Sequence, residues 1–345
     1  MQKWKRSKLI RCALALVLGL ACADSGAAGE KFVVVSHAPD SDTWWNIIRN
    51  AVKQAGEDFN VTVEYRNPAH GDLAEMARLI EQAAARNADG LVVSIADFSV
   101  LQKPLAQVVA RKIPLVTINS GTTRQSEQLG ALLHVGQSEY DAGLGAGVKA
   151  KAAGVKSFLC VNHYATNPES FERCRGFADA LGVDFQAATL DTHGIDAAVV
   201  ESKVATWLQR HPGTQGVLAL GVDSAVPALR AMDKLGLKNK LWFATFDLSA
   251  EIIKGIKDGS VRFAIDQQPY LQGYIPVALM AIMKQGSISD LPNLKARLMS
   301  HPKFQARLAE YGLTPSYGAR HISAGPGYVT RDNVGKVEKY AGQYR

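Results

Sequence analysis

From residue 31 onward, short runs of β-branched and aliphatic residues alternate with longer stretches of helical periodicity, and the alternation is completed twice. That pattern builds βαβ units and parallel sheets, and it leaves little room for any other fold class. The first round predicts strands at 31–36, 61–65, 90–95, 114–118 and 132–135. Helices at 43–58, 72–86 and 101–111 lie between them. In the second of these helices Leu73, Met76, Ala77, Ile80 and Ala84 share one face, the face expected to pack on the sheet. The second round predicts strands at 157–161, 185–190, 216–220, 241–245 and 261–265, with helices at 168–181, 196–211, 225–235 and 250–257. A last long helix runs from Pro269 to about residue 284, its proline suited to a first turn. With 345 residues and 47% hydrophobic content the chain can fill two cores. The expected fold is α/β, two similar doubly wound lobes joined by a hinge, with a cleft lined by loops at the carboxyl ends of the strands.

The first 23 residues read as an export signal. Lys3, Lys5, Arg6, Lys8 and Arg11 precede an apolar run from Leu14 to Leu20, and Ala21-Cys22-Ala23 supplies small residues for cleavage. Cleavage near Ala28 is also chemically acceptable. Lipidation at Cys22 is the alternative, disfavoured by Gly19 where a leucine usually stands. Losing those five cations takes the formal net charge from +7 to +2, so the basic balance implies no acidic partner. No Lys/Arg-rich stripe remains to suggest nucleic acid, and no later apolar stretch is long enough for a membrane span. Cys160 and Cys174 remain, either as two buried thiols or, in an oxidising compartment, as a pair.

Motifs for catalysis are missing: there is no His-Glu-x-x-His, no Gly-x-Ser-x-Gly and no phosphate-binding Gly-x-x-x-x-Gly-Lys. His37-Ala38-Pro39-Asp40 occupies the turn where a dinucleotide site needs glycines. Gly143, Gly145 and Gly147 suit close helix packing better than a cofactor. Cys160, His163 and Cys174 lack a fourth ligand at zinc spacing. No cofactor and no metal is expected. What recurs at loop positions is aromatic faces beside planar hydrogen-bonding groups, the combination that recognises the C–H faces and crowded hydroxyls of a sugar. Trp44 and Trp45 open a helix after Asp42, either with one indole on the cleft and one in the core or with both in the core. Arg173 is a cleft candidate or a solvated helix residue. Asp247 ends a strand, as a ligand group or as a helix N-cap.

Taken in order and spacing, these segments resemble the periplasmic ribose-binding-protein family, the sugar receptors of ABC importers, over residues 31 to 286. Asp42-Thr43-Trp44-Trp45 resembles the family's Asn-Pro-Phe-Phe, which gives Asp42 a polar role and Trp44 and Trp45 the aromatic ones. Asn119-Ser120 stands where ribose binders carry Asp-Arg. Arg173-Cys174-Arg175-Gly176-Phe177 matches Arg-x-x-Gly-Phe, Phe246-Asp247 matches Phe-Asp, and Gln267 matches the family's ligand-binding glutamine. Gly221 falls where the family has an asparagine, and Asp223 is the candidate substitute. The resemblance implies a ligand set of Asp42, Trp44, Trp45, Asn119, Arg173, Asp223, Asp247 and Gln267. It implies a first lobe of 30–135 plus 267–296 and a second of 136–266 plus 319–335, with 297–318 unassigned. Three crossing segments, near residue 135, near residue 266 and at the start of the tail, are implied as the hinge. It further implies a periplasmic, monomeric protein that captures a monosaccharide or polyol, closes about its hinge and is read by the membrane subunits of an ABC importer. The alternatives are a sensor that hands its ligand to a chemoreceptor or sensor kinase, and a cleft hydrolase with Asp223 and Asp247 as paired carboxylates. Sugar-responsive repressors share the fold, but an export signal stands where their DNA-reading segment would be.

Overall fold

The computed structural model describes residues 29–164 and 167–345, so the export-signal reading and Cys22 lie outside the described residues. Strands β1 (Lys31–Val35), β2 (Thr62–Arg66), β3 (Gly90–Ser94), β4 (Leu115–Ile118) and β5 (His134–Gly136) form one parallel sheet. β6 (Phe158–Asn162), β7 (Thr189–Asp191), β8 (Gly216–Ala219), β9 (Trp242–Phe246) and β10 (Phe263–Asp266) form a second. The chain then returns to each sheet once more. β11 (Ser316–Tyr317) and β12 (His321–Ser323) extend the first to the order β11-β12-β5-β4-β3-β1-β2. β13 (Gly327–Val329) runs antiparallel on β10 and gives the second the order β13-β10-β9-β8-β6-β7.

Helices cover both faces of each sheet, which is why β3, β6 and β9 are buried along their whole length. Four apolar clusters result, one on each face. Phe32, Ile48 and Tyr274 lie on one side of the first sheet and Met76, Ile80 and Leu105 on the other. Val204, Phe243 and Ile256 lie on one side of the second, and Phe158, Phe177 and Phe246 on the other.

The helices Glu139–Ala152 and Pro168–Leu181 cross at backbone contact. A Cβ at Gly147 would lie 2.6 Å from the Phe177 carbonyl oxygen, and one at Gly143 or Gly176 would run into the opposite backbone. Close packing therefore accounts for Gly143 and Gly147. Gly145 instead gives room to the Tyr328 ring. Cys160 on β6 and Cys174 on the second of these helices form a disulfide 14 residues apart in sequence, which corrects the buried-thiol alternative. A loop of that size is worth about 3 kcal/mol when closed. Thermal unfolding with and without a reductant is expected to show the reduced protein less stable by about that amount; an unchanged midpoint would mean that the bridge contributes nothing.

Two sequence expectations need correction. Residues 185–190 are not one strand: Asp184 accepts from the Gln186 amide and starts a helical turn, Phe185–Ala188, so the strand is only Thr189–Asp191. Residues 319–335 do not belong to the second lobe alone, because β12 pairs with β5 in the first sheet and only β13 joins the second. Lobe crossings therefore fall after Gly136, after Asp266 and between Ser323 and Gly327, the last well beyond the start of the tail. Residues 297–318 pack on the first lobe through Leu298, Phe304, Tyr311 and Leu313. The final residues cross again: Val334 and Val337 sit in the second core, whereas Tyr344 stacks on Tyr311 and Arg345 pairs with Asp266.

Candidate functional site

The carboxyl ends of both sheets point into one cleft, and the loops that follow them carry every candidate residue. After β1 the Asp42 carboxylate accepts from the Trp44 amide at 3.1 Å, a local turn that opens the helix Trp45–Phe59. Trp45 is buried in the first core with its ring edge against His37, whereas Trp44 is half-buried and lines the cleft. This settles the pair as one cleft indole and one whose body belongs to the core. After β4, Asn119 takes a left-handed backbone, φ 56°, and its amide donates to Gln272 at 3.1 Å.

On the second lobe Arg173 is no solvated helix residue. Its guanidinium donates to both carboxylate oxygens of Glu139 at 2.6 and 2.9 Å, to the Leu220 carbonyl at 2.8 Å and to Gln267 at 2.9 Å, and it lies 4.2 Å from the centre of the Phe246 ring. Gln267 in turn donates to Asp247 at 2.7 Å. Asp247 follows β9 with φ 66° and caps nothing, since Ser249 caps the next helix. Burial pushes the Asp247 carboxyl up to about 7, against the opposing pull of Arg173 and Gln267. Asp223 sits in the first turn of the helix Val222–Lys234, raised to about 6 by burial and then by the Asp42 charge.

All eight candidates line one cavity of about 190 Å³ between the lobes. Hydrogen bonds that join the lobes across it include those from the Tyr164 hydroxyl to Asp42 and from the Asn167 amide to the Ser120 hydroxyl at 3.0 Å. Tyr164, Asn167, Glu139, His37 and His163 were not singled out as ligand groups from the sequence. His163 follows the carboxyl end of β6, so the rule that located Asp247 could also have located it. Its ring fills the space beside Gly221, where a Cβ would lie 2.8 Å from the imidazole, so histidine occupies the volume an asparagine at 221 would need. Burial holds His37 down at about 4 and His163 at about 3, so both are neutral at pH 7. The Trp44 Nε1 atom is buried beside the Asp247 carboxyl, and the His163 Nδ1 atom is buried without a partner among the described residues. Among the same residues no three acidic, histidine or cysteine side chains cluster as metal ligands.

Two parallel-sheet lobes joined by crossing segments, with a small polar cavity between them, define a hinged ligand receptor. The chain belongs to the periplasmic binding protein domain family, which matches residues 32–287, and the family implies a periplasmic location. Among curated relatives, the xylose/arabinose-binding protein of Sulfolobus acidocaldarius is 26% identical over 59% of this chain; the match spans 54% of that protein's length. The ribose import binding protein of Bacillus subtilis is 26% identical over 62% of this chain and 67% of its own. Among solved structures, a carbohydrate transporter from Acidothermus cellulolyticus in complex with myo-inositol superposes with a TM-score of 0.77 at 29% identity, covering 91% of this chain and 98% of that one. These relatives are binding proteins rather than enzymes.

Proposed function

We propose that the protein is a periplasmic receptor that captures one monosaccharide or polyol in the interlobe cavity and delivers it, chemically unchanged, to the membrane subunits of an ABC importer. The observation that carries this reading is the cavity itself. At about 190 Å³ it is smaller than the roughly 300–1,000 Å³ of pockets for drug-sized ligands, which suits a single small ring. Trp44 offers a flat apolar face, while Asn119, Asp247 and Gln267 present planar polar groups to hydroxyls. The myo-inositol bound to the Acidothermus relative and the pentoses in the curated relatives' names fall in the same chemical class. The protein would act as a monomer, exported by its first 23 residues, and its output would be the closed shape.

A thermal-shift screen of the mature chain against pentoses, hexoses, cyclitols, linear polyols, amino acids and nucleosides tests this reading. A ligand at about 100 times its Kd stabilises by about 2.7 kcal/mol, so a hit among sugars or polyols is expected to raise the Tm clearly. Shifts confined to amino acids or nucleosides would reject the sugar assignment.

A further inference from the structure

The cavity carries more negative charge than its own lining balances. Asp42, Glu139, Asp223 and Asp247 face it, and among the described residues Arg173 is the one lysine or arginine on its wall. Arg173 is already engaged by Glu139 through both carboxylate oxygens. The two wall histidines add no charge, since both are neutral imidazoles at pH 7. Arg49 acts on Asp42 from outside the cavity, where it bonds Asn46 and Asn67. That leaves Asp223 without a counter-charge and Asp247 with only a share of Arg173. Asp247 has the Gln267 amide for company, and Asp223 has no hydrogen-bond or ion-pair partner among the described residues.

A second observation points the same way. His163, a residue of this wall, is nine-tenths buried, at 9% exposure, and its Nδ1 has no partner among the described residues. With its proton on Nε2 that imidazole offers an acceptor at Nδ1, as do unengaged carboxylate oxygens, and the group that offers donors without acceptors is an ammonium. A neutral polyol can donate to these carboxylates, yet it leaves the excess charge where it was. A protonated amine cancels part of it in a largely buried site, where charge complementarity counts more than in bulk water.

Resting on the receptor reading above, we propose that the preferred ligand is an amine-bearing monosaccharide or aminocyclitol, with its protonated nitrogen held by the carboxylates of Asp223 and Asp247. The raised carboxyls of Asp223 and Asp247 fit this account, since a bound cation would favour their ionised forms. Around Asp247 the charged and titratable groups are Arg173, Asp266 and Tyr164, with Gln267 and Trp44 alongside; around Asp223 they are Asp42 and Tyr164. Lowering the pH therefore protonates the two carboxyls and reduces the preference for the amine.

Calorimetric titration of the mature chain with two matched pairs tests the proposal: D-glucosamine against D-glucose, and D-galactosamine against D-galactose, at pH 7.0 and 5.0. In at least one pair the amine is expected to bind at least 10-fold more tightly at pH 7.0, with the ratio shrinking at pH 5.0. Asp223→Asn is expected to lower that ratio by about 10-fold. A neutral sugar that binds as well as or better than its amine in every pair that binds, or a neutral sugar or polyol found by the screen while neither pair binds, overturns the proposal and leaves the sugar-receptor reading standing. Binding of neither member of either pair, together with no hit among the neutral sugars and polyols of the screen, overturns both.

Discussion

Replacing Arg173 with alanine is expected to weaken ligand binding by about 100-fold, about 2.8 kcal/mol at 1.4 kcal/mol per decade, and to destabilise the fold as well. Arg173 holds Glu139, the Leu220 carbonyl and Gln267 in place together, and its side chain is only 12% exposed against 9% for Glu139. Removing one partner of a buried pair strands the other charge, which typically costs about 3–5 kcal/mol. Glu139→Ala combined with Arg173→Ala should recover part of that stability, because no charge is then left unpaired, but not the binding. Urea unfolding and calorimetry of the single and double variants separate the two effects. A single variant with wild-type midpoint and affinity contradicts the placement of Arg173 at the centre of the site.

Asp247→Asn is expected to behave in the opposite way, with binding reduced about 10- to 100-fold and stability at pH 8 equal to or above that of the wild type. A hydrogen bond to a charged group is worth about 1.5–3 kcal/mol, and the sugar would lose it. Stability follows from the direction in which burial moves the Asp247 carboxyl. The Asp247 carboxyl goes from 3.8 when unperturbed to about 7 in the fold. Between those values the native state holds a proton that the unfolded state has released. Stability from this group is thus fully present below about pH 4 and is lost as pH rises through about 7. Asparagine removes that slope while keeping an acceptor for the Gln267 amide. Asp42 and Asp223 shift in the same direction, so the wild-type-minus-variant difference, followed from pH 4 to 8, isolates Asp247. A difference that stays flat over that range would show that Asp247 is ionised throughout.

How far the sequence reached depended on the range of the interaction. The two parallel sheets were legible because buried strands such as Gly90–Ser94 and Trp242–Phe246 are apolar runs set between amphipathic helices. Loops at strand ends were legible as a site for the same reason, and Asp247, Asn119 and Gln267 each sit one residue beyond a strand. The partners that give those residues their state were not legible. Glu139 lies 34 residues from Arg173, Tyr164 lies 122 from Asp42, and Gln272 lies 153 from Asn119, so only the closed fold brings them together. The tail was misassigned because His321–Ser323 and Gly327–Val329 are three residues each, too short for a period-2 pattern to show. Two neighbouring strands that join different sheets also leave no local trace of the crossing between them.

The most direct test of the account is a crystal structure of the mature chain bound to the compound that stabilises it most. The expected result is one small ring in the interlobe cavity, its C–H face on Trp44 and its polar groups on Asp247, Asp223 and Gln267, with Tyr164 still bonded to Asp42 across the cleft. A ligand seated elsewhere on the molecule, or one contacting only a single lobe, would contradict the assignment of this cavity as the binding site.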